Sequence, residues 1–113
     1  MAAKLPEFLS AHGDLHDCIV NSIFFASSAA RVEVSIEDLH ANFGGLSEYP
    51  GPQAGRLMFE HVEAVEMDVA LPGARIFEVV HTDDARGHRV EFRFSPAGKL
   101  VVLAKTVGVS PAD

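Results

Sequence analysis

Short segments of this chain alternate apolar and polar residues with a period of two, and this pattern constrains the fold most. Two clear examples are residues 32–36 (Val-Glu-Val-Ser-Ile) and 90–94 (Val-Glu-Phe-Arg-Phe). Successive side chains of a strand point to opposite faces, so each segment presents apolar residues on one side and polar residues on the other. The pattern is typical of antiparallel sheets that bury one face, and it predicts a mainly β protein.

Turn-forming residues divide the patterned region into about seven strands. A short helical turn over residues 6–11 precedes them, since proline suits the first position of a helix. The predicted strands are 15–26, Arg31–Ile36, two within 56–71 separated by a bend or bulge near Glu63 and Ala64, 75–82, 88–94 and 100–109. We expect one domain over residues 1–113, an antiparallel meander folded as a sandwich or a partly open barrel.

The first predicted strand, residues 15–26, is apolar on both faces. Ile19 and Ile23 lie on one face, and Val20 and Phe24 on the other. Because β-branched and aromatic residues favour strands, we prefer a strand covered on both sides to a helix. The mean hydropathy of +0.16 is high for a small monomer. It predicts that another subunit covers one face or edge, as in a homodimer.

Composition limits the location and the partners. Cys18 is the one cysteine, which excludes an intrachain disulfide and fits a reducing compartment. The start of the sequence lacks a signal-peptide pattern, and the uncharged run over 18–30 is shorter than the roughly 20 apolar residues that a bilayer requires. We therefore expect a cytoplasmic protein. Residues 1–72 hold three basic and eleven acidic side chains, which argues against nucleic-acid binding. Such an acidic surface suits either solubility alone, the commoner case, or a basic protein partner.

A long segment without pattern follows the second predicted hairpin strand. Residues 40–55 contain four glycines and two prolines, which prevent a regular element. Long loops in small domains are often functional. We predict that this loop contributes Tyr49 to a partner-binding surface, together with the carboxylates Glu60, Glu63 and Glu66.

The densest polar cluster precedes the first strand. Residues 12–18 hold His12, His16, two aspartates and Cys18. Histidine and carboxylate side chains bind transition metals, so His12, His16 and Asp17 (or Asp14) are the candidate metal ligands. A Cys–His pair could alternatively activate a thiolate, and a third interpretation is that the thiol packs as a small apolar group. Otherwise the sequence indicates no cofactor and no catalytic residue.

The order of features resembles a group of small bacterial β-domains found among polymorphic-toxin immunity proteins and their uncharacterised relatives. The resemblance rests on the start of the first strand at Leu-His-Asp-Cys-Ile-Val (15–20), a hairpin at 31–34, an apolar-x-Phe-x-x-Val strand at 57–62, and a last hairpin at 89–94 and 100–109. Leu15 stands where these domains usually have an aromatic residue, and the chain has no Trp. The resemblance implies a binding protein that occludes a partner toxin, with no catalytic residues.

Three functional hypotheses follow. The first is a non-enzymatic cytoplasmic binding module, immunity-like or otherwise, that occludes a protein partner through an acidic surface. The second is a small metal-dependent or ligand-binding enzyme that uses His12, His16 and Asp17. The third is a structural homo-oligomeric subunit.

Overall fold

Six antiparallel strands form one curved open sheet, preceded by a short helix. The computed structural model describes residues 5–12, 15–41, 45–47, 49–69, 74–85 and 87–111. The elements are α1 (Leu5–Ala11), β1 (Val20–Ala26), β2 (Arg31–Ile36), β3 (Gly55–Val69), β4 (Arg75–Asp84), β5 (Gly87–Ser95) and β6 (Gly98–Pro111). The prediction of a mainly β, antiparallel fold with a short N-terminal helical turn is confirmed.

The strand order across the sheet is β1-β2-β3-β6-β5-β4. Consecutive strands form hairpins except at β3 and β4, because β3 pairs with β6 along nearly its whole length. The curvature brings the two ends of the sheet together at one point, where Ile19 bridges Arg75. There the N–H of Val20 donates to the oxygen of Ala74 at 2.8 Å. The sheet is therefore open, with its two edges joined at one end.

The sheet has six strands where the sequence predicts about seven, because residues 55–69 form one continuous strand. The expected bend near Glu63 and Ala64 is a bulge: the register with β6 shifts between Val62 and Ala64, and His61 adopts a φ of 53°. A bulge inserts one extra residue and bends the strand without ending it. The change in parity that suggested two strands is thus the signature of this bulge. Residues 70–73, which include the predicted end of this segment, lie outside the described residues.

The first strand begins later than predicted. Residues 15–18 form turns, because Leu15 and Asp17 have φ values of 59° and 68° and the N–H of Cys18 donates to the oxygen of Leu15 at 3.0 Å. Two left-handed φ values within three residues are incompatible with the regular geometry of a strand. The apolar side chains of Leu15 and Cys18 are nevertheless fully buried. Their burial satisfies the hydrophobic signal that the sequence analysis attributed to a strand.

The prediction that the first strand is covered on both faces is wrong. β1 lies at the edge of the sheet, and Phe24 and Phe25 are 59% and 44% exposed. The described part of the chain places no second layer over this strand. The two-sided apolar pattern of β1 is therefore not satisfied within the chain.

The core lies on the concave face of the sheet. Alternate residues of β2 and β5 are buried as predicted, and β6 occupies the central position that its apolar residues indicated. Helix α1 buries Leu5, Phe8 and Leu9, whose spacing places them on one helical face. Within the described residues, no helix has the length and apolar character needed to cross a membrane.

Candidate binding groove

An open apolar groove separates β1 from the second half of β3. We define this binding groove by Ile23 and Phe25 of β1 and by Val65, Met67 and Val69 of β3. It contains two adjoining cavities of about 240 Å³ and about 200 Å³, and Phe25 lines both of them.

The groove exists because β3 is much longer than β2. The ladder between the two strands covers Gly55 to Phe59, and a hydrogen bond from the N–H of Val62 to the oxygen of Ala30 at 2.8 Å follows it. Beyond this point β3 pairs with β6 on one side. Among the described residues, no strand pairs with the other edge of β3 over 63–69, nor with the outer edge of β1 over 21–26. Two unpaired strand edges therefore flank the groove.

The groove side chains stand on the core-facing side of the sheet. Phe25 lies directly opposite the buried Val32, and Met67 lies directly opposite the buried Leu100. Residues opposite each other in an antiparallel pair share a face. Phe25 and Met67 are nonetheless 44% and 51% exposed. The groove is thus an extension of the core surface that the chain leaves uncovered.

The three predicted partner-binding glutamates lie on β3 beside this groove, and each is in an ion pair. Their side chains are between 40% and 65% exposed, so water screens these pairs strongly. The pairs join Arg31 to Glu60 at 3.5 Å, Lys105 to Glu63 at 3.9 Å and Lys99 to Glu66 at 3.1 Å. Exposed ion pairs of this kind contribute about 0 to 1 kcal/mol to stability. Basic side chains of a partner can therefore take the place of the arginine and the two lysines at little cost in free energy.

Tyr49 has a different setting, in the long loop after β2. Its hydroxyl donates to Asp38 at 2.6 Å, while the N–H groups of His40 and Gln53 donate to the other carboxylate oxygen at 2.9 and 3.0 Å. Burial by itself raises the pKa of Asp38, but these hydrogen bonds outweigh it and hold the pKa below its ordinary value. Tyr49 therefore anchors the loop. Residues 42–44 and 48 lie outside the described residues.

The structure does not assemble His12, His16 and Asp17 into a metal site. Nδ1 of His12 lies 2.9 Å from the oxygen of Phe8, at the end of α1, and Nδ1 of His16 lies 2.7 Å from the oxygen of Phe77, on β4. Nε2 of His16 is 3.8 Å from the carboxylate of Asp17. Within the described part of the chain, the side chains of His12, His16 and Asp17 do not bring three ligand atoms within 4.8 Å of one another. Each imidazole instead binds a backbone carbonyl.

The thiol beside this cluster is not an activated nucleophile. Cys18 is fully buried, and burial raises the pKa of its thiol to about 11. Because the thiolate is the reactive form, the side chain is inert at neutral pH. The interpretation of Cys18 as a small apolar group is the one that its burial supports. Asp14, the alternative ligand in this region, lies outside the described residues.

A cluster that sequence reasoning missed lies in the β4–β5 hairpin. His81, Asp83 and His88 bring three ligand atoms together. The sequence pattern did not connect these residues, because it predicted a hairpin loop over residues 83–87. The strands in fact continue to Asp84 and Gly87, which places Asp83 directly opposite His88. No turn signature in the sequence marked this register, because the Asp and Gly at positions 84 and 87 pair with each other at the end of the ladder and do not occupy the turn itself.

Comparison with known proteins bears on the fold alone. No protein-family model and no curated protein sequence matches this chain. The structure is similar to a crystal structure of an uncharacterized protein from Neisseria gonorrhoeae, with a TM-score of 0.60 and 12% sequence identity. The match covers 86% of this chain and 93% of that chain. A likeness at this identity supports the curved antiparallel sheet, and function rests on the side chains described above.

Proposed function

We propose that this protein is a non-enzymatic, cytoplasmic binding module that takes an extended segment of a basic protein partner into the binding groove. The observation that carries this proposal is the pair of unpaired strand edges on either side of an exposed apolar surface. Exposed edges present N–H and C=O groups that pair readily with another chain. A strand added between β1 and β3 would satisfy both edges at once.

An extended segment also suits the side chains of the groove. Phe25 and Met67 offer apolar contacts on the core-facing side, while the opposite side is open to solvent. A partner strand that alternates apolar and polar residues would place the former in the groove and the latter in water. The exposure of Phe25 on the core-facing side of β1 agrees with such a partner.

Charge favours a basic partner over a second copy of this chain. The arm of β3 beside the groove carries Glu63, Glu66 and Asp68 and no basic side chain, and the chain has a net charge of −7. Opposite charges across an interface accelerate association, whereas like charges placed together disfavour it. The resemblance to toxin immunity proteins implies a protein partner, and an acidic surface would suit one that is basic. Homo-oligomerisation through the same groove is the competing outcome.

A synthetic strand tests the groove directly. The probe is a fluorescent nine-residue peptide of alternating Val and Lys, and the comparison peptide alternates Val and Glu. We expect fluorescence anisotropy to report binding of the basic peptide alone. Backbone amide resonances of β1 and of residues 63–69 in β3 should shift when it binds. Failure of the basic peptide to bind more tightly than the acidic one would contradict the proposal.

Two matched variants locate the binding site. Met67 and Leu46 are 51% and 54% exposed, but only Met67 belongs to the groove as defined above. We expect Met67→Lys to weaken peptide binding by roughly tenfold or more, as loss of a central apolar contact does, and Leu46→Lys to leave it unchanged. Reversing the charges of Glu60, Glu63 and Glu66 should weaken binding without unfolding the protein. Equal effects at positions 67 and 46, or a stable dimer of the free chain in light scattering, would refute the proposal.

A further inference from the structure

The turn end of the β4–β5 hairpin gathers three metal-ligating side chains on one face. Asp83 lies directly opposite His88, and His81 lies two residues before Asp83 on the same strand. Side chains two apart on a strand share a face, as do directly opposed residues. His81 in turn lies opposite the buried Val90. The three polar side chains thus lie on the core-facing side of the hairpin, next to its turn.

The three ligand atoms form a small triangle. Nε2 of His81 and Nδ1 of His88 are 3.0 Å apart, and each lies 2.7 Å from the same carboxylate oxygen of Asp83. The two imidazole rings are stacked, with centroids 5.2 Å apart and an interplanar angle of 25°. Both rings therefore direct a nitrogen at one point.

Hydrogen bonds and a metal ion are two ways to hold this triangle. With a hydrogen on each imidazole nitrogen, both rings donate to the carboxylate oxygen, and no hydrogen bond joins the two nitrogens, which are 3.0 Å apart. A cation that replaces both hydrogens accepts a lone pair from each of the three atoms and so engages all of them at once.

We propose that His81, Asp83 and His88 bind a divalent transition-metal ion through two imidazole nitrogens and one carboxylate oxygen. An ion about 2.1 Å from each atom, the usual length of such bonds, lies out of the plane of the triangle and keeps positions for water. Imidazole with carboxylate suits Zn²⁺, Co²⁺ and Ni²⁺, whereas Ca²⁺ and Mg²⁺ prefer oxygen ligands alone.

Burial of the cluster fits this role. The side chain of His81 is only 10% exposed, that of His88 33% and that of Asp83 65%. An ion would therefore have one well-shielded ligand and a direct route from solvent past the carboxylate. It would cross-link β4 and β5 near their turn. The site shares no residue with the binding groove, so its test is independent of the test of the proposed function.

Measuring the Zn²⁺ affinity of the protein, made without a histidine tag, tests the site. After treatment with a chelator, the full chain is titrated calorimetrically with Zn²⁺, and we expect one ion per chain and no comparable binding of Ca²⁺. His88→Gln and Asp83→Asn should each weaken Zn²⁺ binding by about tenfold or more. His12→Gln and His16→Gln are the matched controls and should bind as the unaltered chain does. No stoichiometric binding, undiminished binding by the variant carrying both His88→Gln and Asp83→Asn, or loss of binding in His16→Gln would overturn the proposal.

A measurement on the unaltered chain keeps the test independent of variant folding. Paramagnetic Co²⁺ should broaden or shift the imidazole resonances of His81 and His88 before those of His12 and His16. The reverse order would refute the site. Circular dichroism of His88→Gln and Asp83→Asn should match that of the unaltered chain, because both replaced side chains are partly exposed.

Discussion

Replacing Gly98 with alanine should destabilise the protein much more than the same change at Gly51. The two glycines have similar positive φ angles, +112° and +99°. Their surroundings differ: a Cβ at Gly98 would lie 2.5 Å from the backbone oxygen of Asp68, and a Cβ at Gly51 would meet nothing within 4 Å. The pair therefore separates backbone strain, which both variants share, from a steric conflict at Gly98.

The magnitudes follow from these two contributions. Alanine at a positive φ of this kind costs roughly 1 kcal/mol, or somewhat more, in both variants. At position 98 the oxygen of Asp68 must also move, because it belongs to the backbone and cannot rotate away. Gly98 pairs with Val69 at the end of the β3–β6 ladder, so one or two ladder hydrogen bonds are lost at about 1 kcal/mol each. We expect totals of about 3 kcal/mol for Gly98→Ala and about 1 kcal/mol for Gly51→Ala.

Urea unfolding followed by circular dichroism measures the difference. With a slope of about 1.5 kcal/mol/M, the unfolding midpoint should fall by about 2 M in Gly98→Ala and about 0.7 M in Gly51→Ala. Gly87→Ala should behave like Gly98→Ala, because its Cβ would lie 2.5 Å from the backbone oxygen of Ala104. Equal midpoints for Gly98→Ala and Gly51→Ala would refute the close approach of β3 and β6 on which the groove depends.

Three further predictions concern the loop, the thiol and the core. Burial raises the pKa of Asp38, but hydrogen bonds outweigh it and hold the pKa below its ordinary value. The ionised carboxylate therefore stabilises the fold at any pH above the pKa that Asp38 has in the unfolded chain. This stabilisation is lost as the pH falls through the lower pKa of the folded protein. In Asp38→Asn the urea midpoint of unfolding should therefore fall less steeply below about pH 4 than in the unaltered chain. The same pH dependence in both proteins would contradict this. Cys18 should resist alkylation at pH 8 until urea unfolds the chain, and rapid labelling of the folded protein would refute its burial. Phe59→Ala should lower the free energy of unfolding by about 3 to 5 kcal/mol, because the side chain is fully buried. The ring centroids of Phe59 and Phe92 are 6.2 Å apart, so a double-mutant cycle should show a coupling of about 1 kcal/mol. Additive effects of the two substitutions would exclude direct packing of the rings.

Features that depend on neighbouring residues were predictable from the sequence. The alternation in β2 matches its buried and exposed residues, and the change of parity near Glu63 marked the bulge in β3. The turn at residues 15–18 was not predictable, because Leu15 and Cys18 are apolar in a strand or in a buried turn alike. Contacts with a distant strand accompany the turn, since the N–H of Asp17 donates to the oxygen of Ile76 on β4 at 2.9 Å.

The candidate sites depended more strongly on tertiary structure. Glu60, Glu63 and Glu66 were predicted to lie on two strands and at the bend between them, whereas all three lie on the single strand β3, and their partner-binding role stays a prediction. The groove beside them requires β3 to extend beyond β2 and pair with β6, which no local pattern specifies. The convergence of His81 with His88 likewise requires the register of one hairpin.

The sequence by itself determined an acidic β protein with one free thiol, because composition and side-chain alternation are properties of the chain alone. The tertiary structure alone decided which strand edges remain unpaired, which apolar side chains remain exposed and which histidines meet. Strand pairing joins residues far apart in sequence, and a shift of one residue in register would turn every side chain of a strand to the other face.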